Sequence, residues 1–323
     1  MSSVGLHVDR HTAPTSRREA LEADVHAGLS SKRKTLPPKW FYDARGNMLF
    51  DEITRLPEYY PFRCEREVLR ERAGEIAALS GADTLVELGS GTSEKTRVLL
   101  VALDAAGTLR RFVPFDVDET VLLQAGSEIA ELHPAVAVHA VVGDFEHHLP
   151  LLPTGGWRLF AFLGGTIGNL LPDERARFLS ALRSTMTTGD CLLLGTDLVK
   201  DPERLVRAYD DAAGVTADFN LNVLRVLQRE LDVELDLSSF SHRAVWDAEY
   251  AWIEMHLVSQ RPQVLRVRGR EYPLAEGESI RTEISAKFTP GRVEAELRAA
   301  GLQPLRCWTD SSGDYAVSLA VAP

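Results

Sequence analysis

Cysteine is scarce in this chain of 323 residues: Cys64, Cys191 and Cys307 are odd in number, far apart and form no C-x-x-C pair. A disulfide scaffold and a thiolate zinc site are therefore not expected, and reduced thiols in a cytoplasmic protein are. No apolar run approaches the ~20 residues of a membrane span, and the first residues carry no apolar stretch of the signal-peptide kind. Basic charge is in deficit, with 36 Lys and Arg against 47 Asp and Glu and a net charge of −11. Nucleic acid and anionic membrane attract basic patches, so neither is an expected partner. No H-E-x-x-H motif occurs, and the adjacent His147 and His148 do not share a face of a helix or strand, so no metal is expected. Fixed-period repeats and low-complexity segments are missing too. What remains is 45% apolar and 26% charged, an ordinary globular composition with length for one large domain or two ordinary ones.

Residues 1–16 are polar and are expected to be a flexible tail. Arg17–Leu29 has helical spacing, as does Arg63–Leu79 with Val68, Leu69, Ile76 and Leu79 on one side. Between these helices, prolines frame two aromatic blocks, one with Trp40, Phe41 and Tyr42 and one with Tyr59 and Tyr60. Such aromatics pack cores, but proline-framed loops rich in Tyr also grip small polar ligands. For Tyr42 and Tyr59 both readings stay open.

A strand–loop–helix pattern follows, with Thr84-Leu85-Val86 leading into Gly89-Ser90-Gly91 and apolar helical spacing from Arg97. Glycine is required where φ is positive or where backbone approaches a ligand, and Thr92 or Ser93 is placed to cap the helix. The second strand, from Arg111, ends in Asp116 and Asp118. Asp116 lies somewhat beyond the roughly 20-residue gap at which an acid binds ribose hydroxyls; the alternative is a helix N-cap. A third strand over Ala135–Val142 ends at Asp144-Phe145, suited to a purine, or else a turn Asp and a core Phe. The fourth, from Arg158, runs into Gly164-Gly165-Thr166-Ile167-Gly168-Asn169, where open α/β sheets bind ligands. A fifth covers Cys191–Asp197.

Alternating strands and helices imply a mostly parallel sheet. The pattern then changes. Helical spacing over Pro202–Leu231, broken near Gly214, is followed by antiparallel β from about Val245 to Phe288. There Glu283 and Ser285 share one face and Ile284 takes the other; the polar face is open to a solvent reading. A last helix over Gly291–Gly301 and two closing strands complete the chain. The expected fold is α/β, a Rossmann-like sheet with a closing antiparallel hairpin plus a second α+β domain.

The dinucleotide fingerprint needs a third glycine near the pyrophosphate. Here that position is Glu94, unfavourable beside an anion at a helix N-terminus. Glu87-x-Gly89-x-Gly91-Thr92 with acids ending strands two and three suits a nucleoside without phosphates, such as S-adenosylmethionine.

At this point the chain resembles a known family, the histidine N-alpha-methyltransferases of ergothioneine biosynthesis. The resemblance rests on Leu36-Pro-Pro-Lys-Trp-Phe-Tyr-Asp43, Thr54-Arg-Leu-Pro-Glu-Tyr-Tyr-Pro61, Leu85-Val-Glu-Leu-Gly-Ser-Gly-Thr-Ser-Glu-Lys-Thr96, Phe162-Leu-Gly-Gly-Thr-Ile-Gly-Asn-Leu170, Gly195-Thr-Asp-Leu-Val-Lys200 and Thr282-Glu-Ile-Ser-Ala-Lys-Phe288, and it extends from about Arg17 onward. It implies an enzyme that methylates the α-amine of L-histidine three times, giving hercynine. By the same resemblance Gly89, Lys95, Asp116, Asp144, Phe145 and Gly164 bind the cofactor. Tyr42, Tyr59, Asn169, Tyr209, Met255, Glu283 and Ser285 line the histidine site, with Thr216 and Phe219 added. No obligatory acid or base is assigned. Residues 63–198 and 288–323 are expected to form the cofactor domain, and residues 17–62 and 199–287 the substrate domain. A monomer is expected. Two other outcomes stay open: a methyltransferase of the same fold acting on another small amine or amino acid, and a non-catalytic protein that binds S-adenosylmethionine or NAD.

Overall fold

The computed structural model describes residues 6–11, 14–91, 93–145 and 147–323. The chain divides into two units, numbered here along one chain order. The first takes the described part of Met1–Thr12, then Pro61–Val199 and Phe288–Pro323; the second takes the described part of Ala13–Tyr60 and Lys200–Lys287.

In the first unit, β1 (His7–Arg10), β2 (Thr84–Leu88), β3 (Arg111–Asp116), β4 (Ala137–Val142), β5 (Arg158–Phe162) and β6 (Cys191–Asp197) run parallel. β13 (Tyr315–Val321) pairs antiparallel with β6, and β12 (Gln303–Thr309) antiparallel with β13. The spatial order is β1-β4-β3-β2-β5-β6-β13-β12. Every residue of β2, β5 and β6 is buried, as expected of parallel strands covered on both faces. The unit's helices are α3 (Pro61–Ser80), α4 (Thr96–Ala105), α5 (Glu119–Leu132), α6 (Pro172–Thr185) and α9 (Pro290–Ala299). Helix α3 buries Val68, Leu69 and Ile76, but Leu79 is 40% exposed, so the stripe read from the sequence ends one turn early. Asp118 caps α5 by accepting from the Thr120 and Val121 amides, which settles the capping alternative in its favour over Asp116.

The expected flexible tail is corrected in part. Residues 1–5 and 12–13 lie outside the described residues, but β1 pairs in register with β4, His7 opposite His139 and Arg10 opposite Val142. Leu6 and Val8 pack on Leu122, Ala140 and Val142. An edge strand buries only one side, so the polar alternation of His7, Asp9 and Arg10 concealed it. Pro14 already opens a helix.

In the second unit, β7 (Phe240–Asp247), β8 (Trp252–Ser259) and β11 (Ser279–Ala286) form an antiparallel sheet in the order β11-β8-β7, and β9 (Gln263–Val267) pairs with β10 (Arg270–Leu274). Its helices are α1 (Pro14–Ser30), α2 (Ala44–Ile53), α7 (Pro202–Tyr209) and α8 (Val215–Leu231). Gly214, at φ 75°, opens α8, so the break expected there is real. α8 buries Phe219, Val223, Leu224, Val226 and Leu227 and packs on α2, β7 and β8. Among the described residues no helix is long and apolar enough to cross a membrane.

Candidate active site

Four loops of the first unit leave the carboxyl ends of adjacent parallel strands, where open α/β sheets bind ligands. After β2, Gly89 and Gly91 take φ of 71° and 49°, the left-handed region that glycine enters without cost. The Gly89 and Ser90 amides donate to the Phe115 carbonyl at 2.9 and 3.1 Å. The Gly91 amide donates to Asp116 Oδ2 at 2.8 Å, and the Asp118 amide to Asp116 Oδ1 at 3.0 Å. Asp116 thus stands beside the loop at the tip of β3, where burial raises its carboxyl above the usual range.

The loop is held from beneath by Glu87. Its buried carboxylate accepts from Ser90 Oγ at 2.7 Å, from Ser93 Oγ at 2.8 Å and from the Thr96 hydroxyl. Burial pushes Glu87 up to about 7 against the pull of those three donors. Ser93 consequently does not cap α4: its hydroxyl is spent on Glu87, and the N-cap position is Lys95, without a side-chain cap. Thr92 lies outside the described residues. Glu94 is exposed, 3.7 Å from Arg66.

Sequence reasoning missed Glu65. This fully buried carboxylate on α3 accepts from the Gly164 amide at 2.8 and 3.0 Å, from the Tyr315 hydroxyl at 2.8 Å and from the Lys95 ammonium. Lys95 also lies 5.3 Å from the Phe62 ring centroid. A Cβ on Gly195 would stand 2.0 Å from Glu65 Oε1, so glycine there is what admits the carboxylate. The available signal was position: Glu65 falls three and four residues before Val68 and Leu69, on the apolar stripe. Through Glu65, two residues assigned to the cofactor, Lys95 and Gly164, are brought together.

After β4, Asp144 Oδ1 accepts from the His147 amide and pairs with its ring nitrogen, both at 2.9 Å. Phe145 packs edge-on against Phe162 and Phe178, with centroids 5.7 and 5.6 Å away. Asn169 ends the short 3-10 turn Thr166–Asn169 after β5. It is half-buried, and among the described residues its side-chain amide takes no hydrogen-bond partner.

The second unit gathers most of the other assigned residues. Tyr42 lies edge-on to Phe50 at 5.7 Å and to Phe219 at 5.5 Å; Phe50 reaches Tyr59 at 6.2 Å, and Tyr59 reaches Tyr209 at 6.1 Å. Phe50 therefore joins the row, although nothing local marked it. Thr216 sits one turn before Phe219 on α8, its amide donating to Asp211. The Tyr209 hydroxyl is 2.7 Å from Ser285 Oγ. Its carbonyl accepts from His242 Nε2 at 2.8 Å, while Asn220 Nδ2 lies 2.8 Å from His242 Nδ1. Burial lowers the His242 pKa, which favours one neutral tautomer with its hydrogen on Nε2. On β11, Glu283 stands opposite Met255 of β8. Glu283 and Ser285 are both buried, at 9% and 6% exposure, so their face is not the solvent face that alternation alone allowed.

The order β4-β3-β2-β5-β6-β13-β12 with β13 reversed, a glycine loop after the first of these strands in sequence and an acid at the tip of the next define a class I S-adenosylmethionine-dependent methyltransferase. The donor set fits that cofactor: two positive-φ glycines leave open space, a carboxylate ends β3, an acid and an aromatic follow β4, and no phosphate-binding third glycine is present. Over residues 21–322 the chain matches the family described as histidine-specific methyltransferase, SAM-dependent, and it belongs to that family. It is 57% identical to the histidine N-alpha-methyltransferase of Mycolicibacterium smegmatis over 318 residues, covering 98% of this chain and 99% of that one. It is 55% identical to the protein of the same name in Mycobacterium tuberculosis over 317 residues, again covering 98% and 99%. Ergothioneine biosynthesis protein 1 of Neurospora crassa is 30% identical over 311 residues, covering 91% of this chain and 34% of that one. The NAD alternative falls with the family.

Proposed function

We propose that the protein transfers three methyl groups from S-adenosylmethionine to the α-amine of L-histidine, giving hercynine for ergothioneine biosynthesis. The observation that carries the reading is the buried Glu283–Ser285 face joined to Tyr209 beside an aromatic row. Family membership and the two mycobacterial relatives support histidine as the acceptor.

The cosubstrate supplies a methyl group on a sulfonium, already activated toward nitrogen. The chain's work is then to bind, orient and exclude water. Gly89, Lys95, Asp116, Asp144, Phe145 and Gly164 of the first unit are assigned to the cofactor. Asp116 takes the ribose hydroxyls, and Asp144 with Phe145 takes the adenine. Lys95, released from Glu65, meets a carboxylate. Tyr59 and Asn169 hold the amino-acid head group and aim the amine lone pair; Asn169 is assigned on its motif alone. Glu283 and Ser285 read the imidazole, Tyr42 closes that end, and Tyr209, Met255, Thr216 and Phe219 complete the lining. α-Amino groups titrate near ~8, so a neutral amine is available without an obligatory base. Positioning alone contributes about 7–11 kcal/mol in well-oriented pairs. The displacement needs no metal. We assign the enzyme to the cytoplasm as a monomer.

Mass spectrometry of the protein with L-histidine and S-adenosylmethionine tests the reading. Products heavier by one, two and three methylene units are expected. A ladder that stops at one or two overturns the trimethylation. No product with histidine but turnover of another amino acid in a substrate panel overturns the acceptor.

A further inference from the structure

At the edge of the first unit's sheet, away from the strand ends that carry the cofactor loops, two imidazoles and a carboxylate converge. On β1, His7 and Asp9 are two residues apart and share a face; Leu6 and Val8 take the other and pack on Leu122, Ala140 and Val142. In the parallel pairing of β1 with β4, His7 stands opposite His139. Both rings turn Nε2 to Asp9, His7 at 3.0 Å from Oδ1 and His139 at 2.7 Å from Oδ2. The ring centroids are 4.4 Å apart with their planes at 86°. One donor atom from each of the three residues falls within 4.8 Å of the other two. Side-chain exposure runs from 66% for His7 through 37% for Asp9 to 22% for His139, so ions in solution can reach the cluster.

We propose that His7, Asp9 and His139 bind one divalent transition ion of the zinc class. Two imidazole nitrogens and a carboxylate oxygen are a donor set that Zn2+ takes in tetrahedral sites, with bonds of about 2.0–2.2 Å. Neighbouring donor atoms then stand about 3.3 Å apart. Reaching that spacing opens the two Asp9 contacts by a few tenths of an ångström and draws the imidazoles together, small shifts for side chains on an edge strand. Each ring gives its Nε2 lone pair to the ion and keeps its hydrogen on Nδ1, and water takes the fourth position. Protons serve the cluster less well. One imidazolium already balances Asp9, and a second would set like charges 4.4 Å apart; a divalent ion meets all three donors at once. The ion joins β1 to a residue 130 positions later, a separation that no short metal-binding motif could reveal. Elements with few buried contacts open first, so the consequence is a firmer β1. His139 lies three residues before the end of β4, about 10 Å along the strand. The ion is thus set apart from Asp144 and Phe145, and the inference is independent of the methyl acceptor.

Calorimetric titration of Zn2+ into the untagged, full-length protein tests it at pH ~7.5, where imidazole is largely neutral. One equivalent is expected to bind with a dissociation constant below ~10 µM. Mg2+ in millimolar excess does not displace it, because that cation prefers oxygen donors. His7→Ala, Asp9→Ala and His139→Ala each weaken the event by about a hundredfold. Zinc X-ray absorption of the one-to-one complex shows two imidazoles and no sulfur. With Zn2+ at a hundredfold excess over its dissociation constant, amide exchange in β1 slows by up to about a hundredfold, and His7→Ala abolishes the slowing. Absence of zinc binding, unchanged affinity in any of the three variants, or sulfur bound to the zinc overturns the proposal. Should His139→Ala not fold, His7→Ala decides, since that side chain is mostly exposed.

Discussion

The two units present polar groups in different ways. In the first, function sits on backbone: glycines with positive φ, amides turned toward Asp116, and strand ends whose carboxylates face the loops. Side chains such as Glu87 and Glu65 are buried beneath and hold that backbone in place. In the second, the side chains themselves are the surface offered: a Tyr and Phe row, then Glu283, Ser285 and Tyr209 on the sheet. A backbone cradle serves any S-adenosylmethionine enzyme of the class, whereas a side-chain mosaic is particular to one acceptor. Under the proposed assignment the first unit carries the cofactor and the second the specificity.

The largest expected effect falls on the buried supports of the cradle. Glu65→Ala leaves Lys95, the Gly164 amide and the Tyr315 hydroxyl without their shared acceptor. Removing one partner of a buried ion pair costs about 3–5 kcal/mol, so denaturant melts should show that loss. Hydrogen exchange should place it in the first unit while amides of β7, β8 and β11 keep their protection; loosening spread evenly over both units would break the comparison.

Next comes the pH dependence carried by Glu87. Its carboxyl rises from the ordinary 4.5 to about 7 on folding, so the folded protein binds the proton more tightly than the unfolded chain. The associated stability is fully present below about 4.5 and is lost as pH rises through about 7, amounting to at most about 3 kcal/mol. Glu87→Gln should flatten the fall in unfolding free energy between pH 5 and 8. An unchanged slope would show that Glu87 stays ionised beneath the loop.

The smallest effect is the loss of one hydroxyl in the second unit. Tyr59→Phe should weaken histidine by about 1 kcal/mol, roughly fivefold, with cofactor affinity unchanged. An unaltered histidine dissociation constant would remove the Tyr59 hydroxyl from the site.

The same contrast explains what the sequence made legible. Strands β2 to β6 are predominantly apolar, and Gly89-Ser90-Gly91 has few conformational explanations, so the first unit could be traced from local pattern. Its supports could not: Glu65 is a single acid on a helical stripe, and β1 is a short polar edge strand recognisable only once β4 lies beside it. In the second unit, alternation placed Glu283 and Ser285 on one face but could not say whether water or protein covered it. Ser285 meets α7, remote in sequence, through the Tyr209 hydroxyl. The roles of Tyr42, Tyr59 and Glu283 were legible only by resemblance, because an aromatic in a core and an aromatic at a ligand follow the same local rules.

The division of labour is tested most directly by titrating both ligands into two variants, S-adenosylmethionine alone and L-histidine with S-adenosylhomocysteine in excess. Asp116→Ala should lose about 3 kcal/mol of cofactor binding, near a hundredfold, and keep histidine affinity within about twofold. Glu283→Gln should lose about 2 kcal/mol of histidine binding and keep its cofactor. Equal loss of both ligands in either variant would contradict the account.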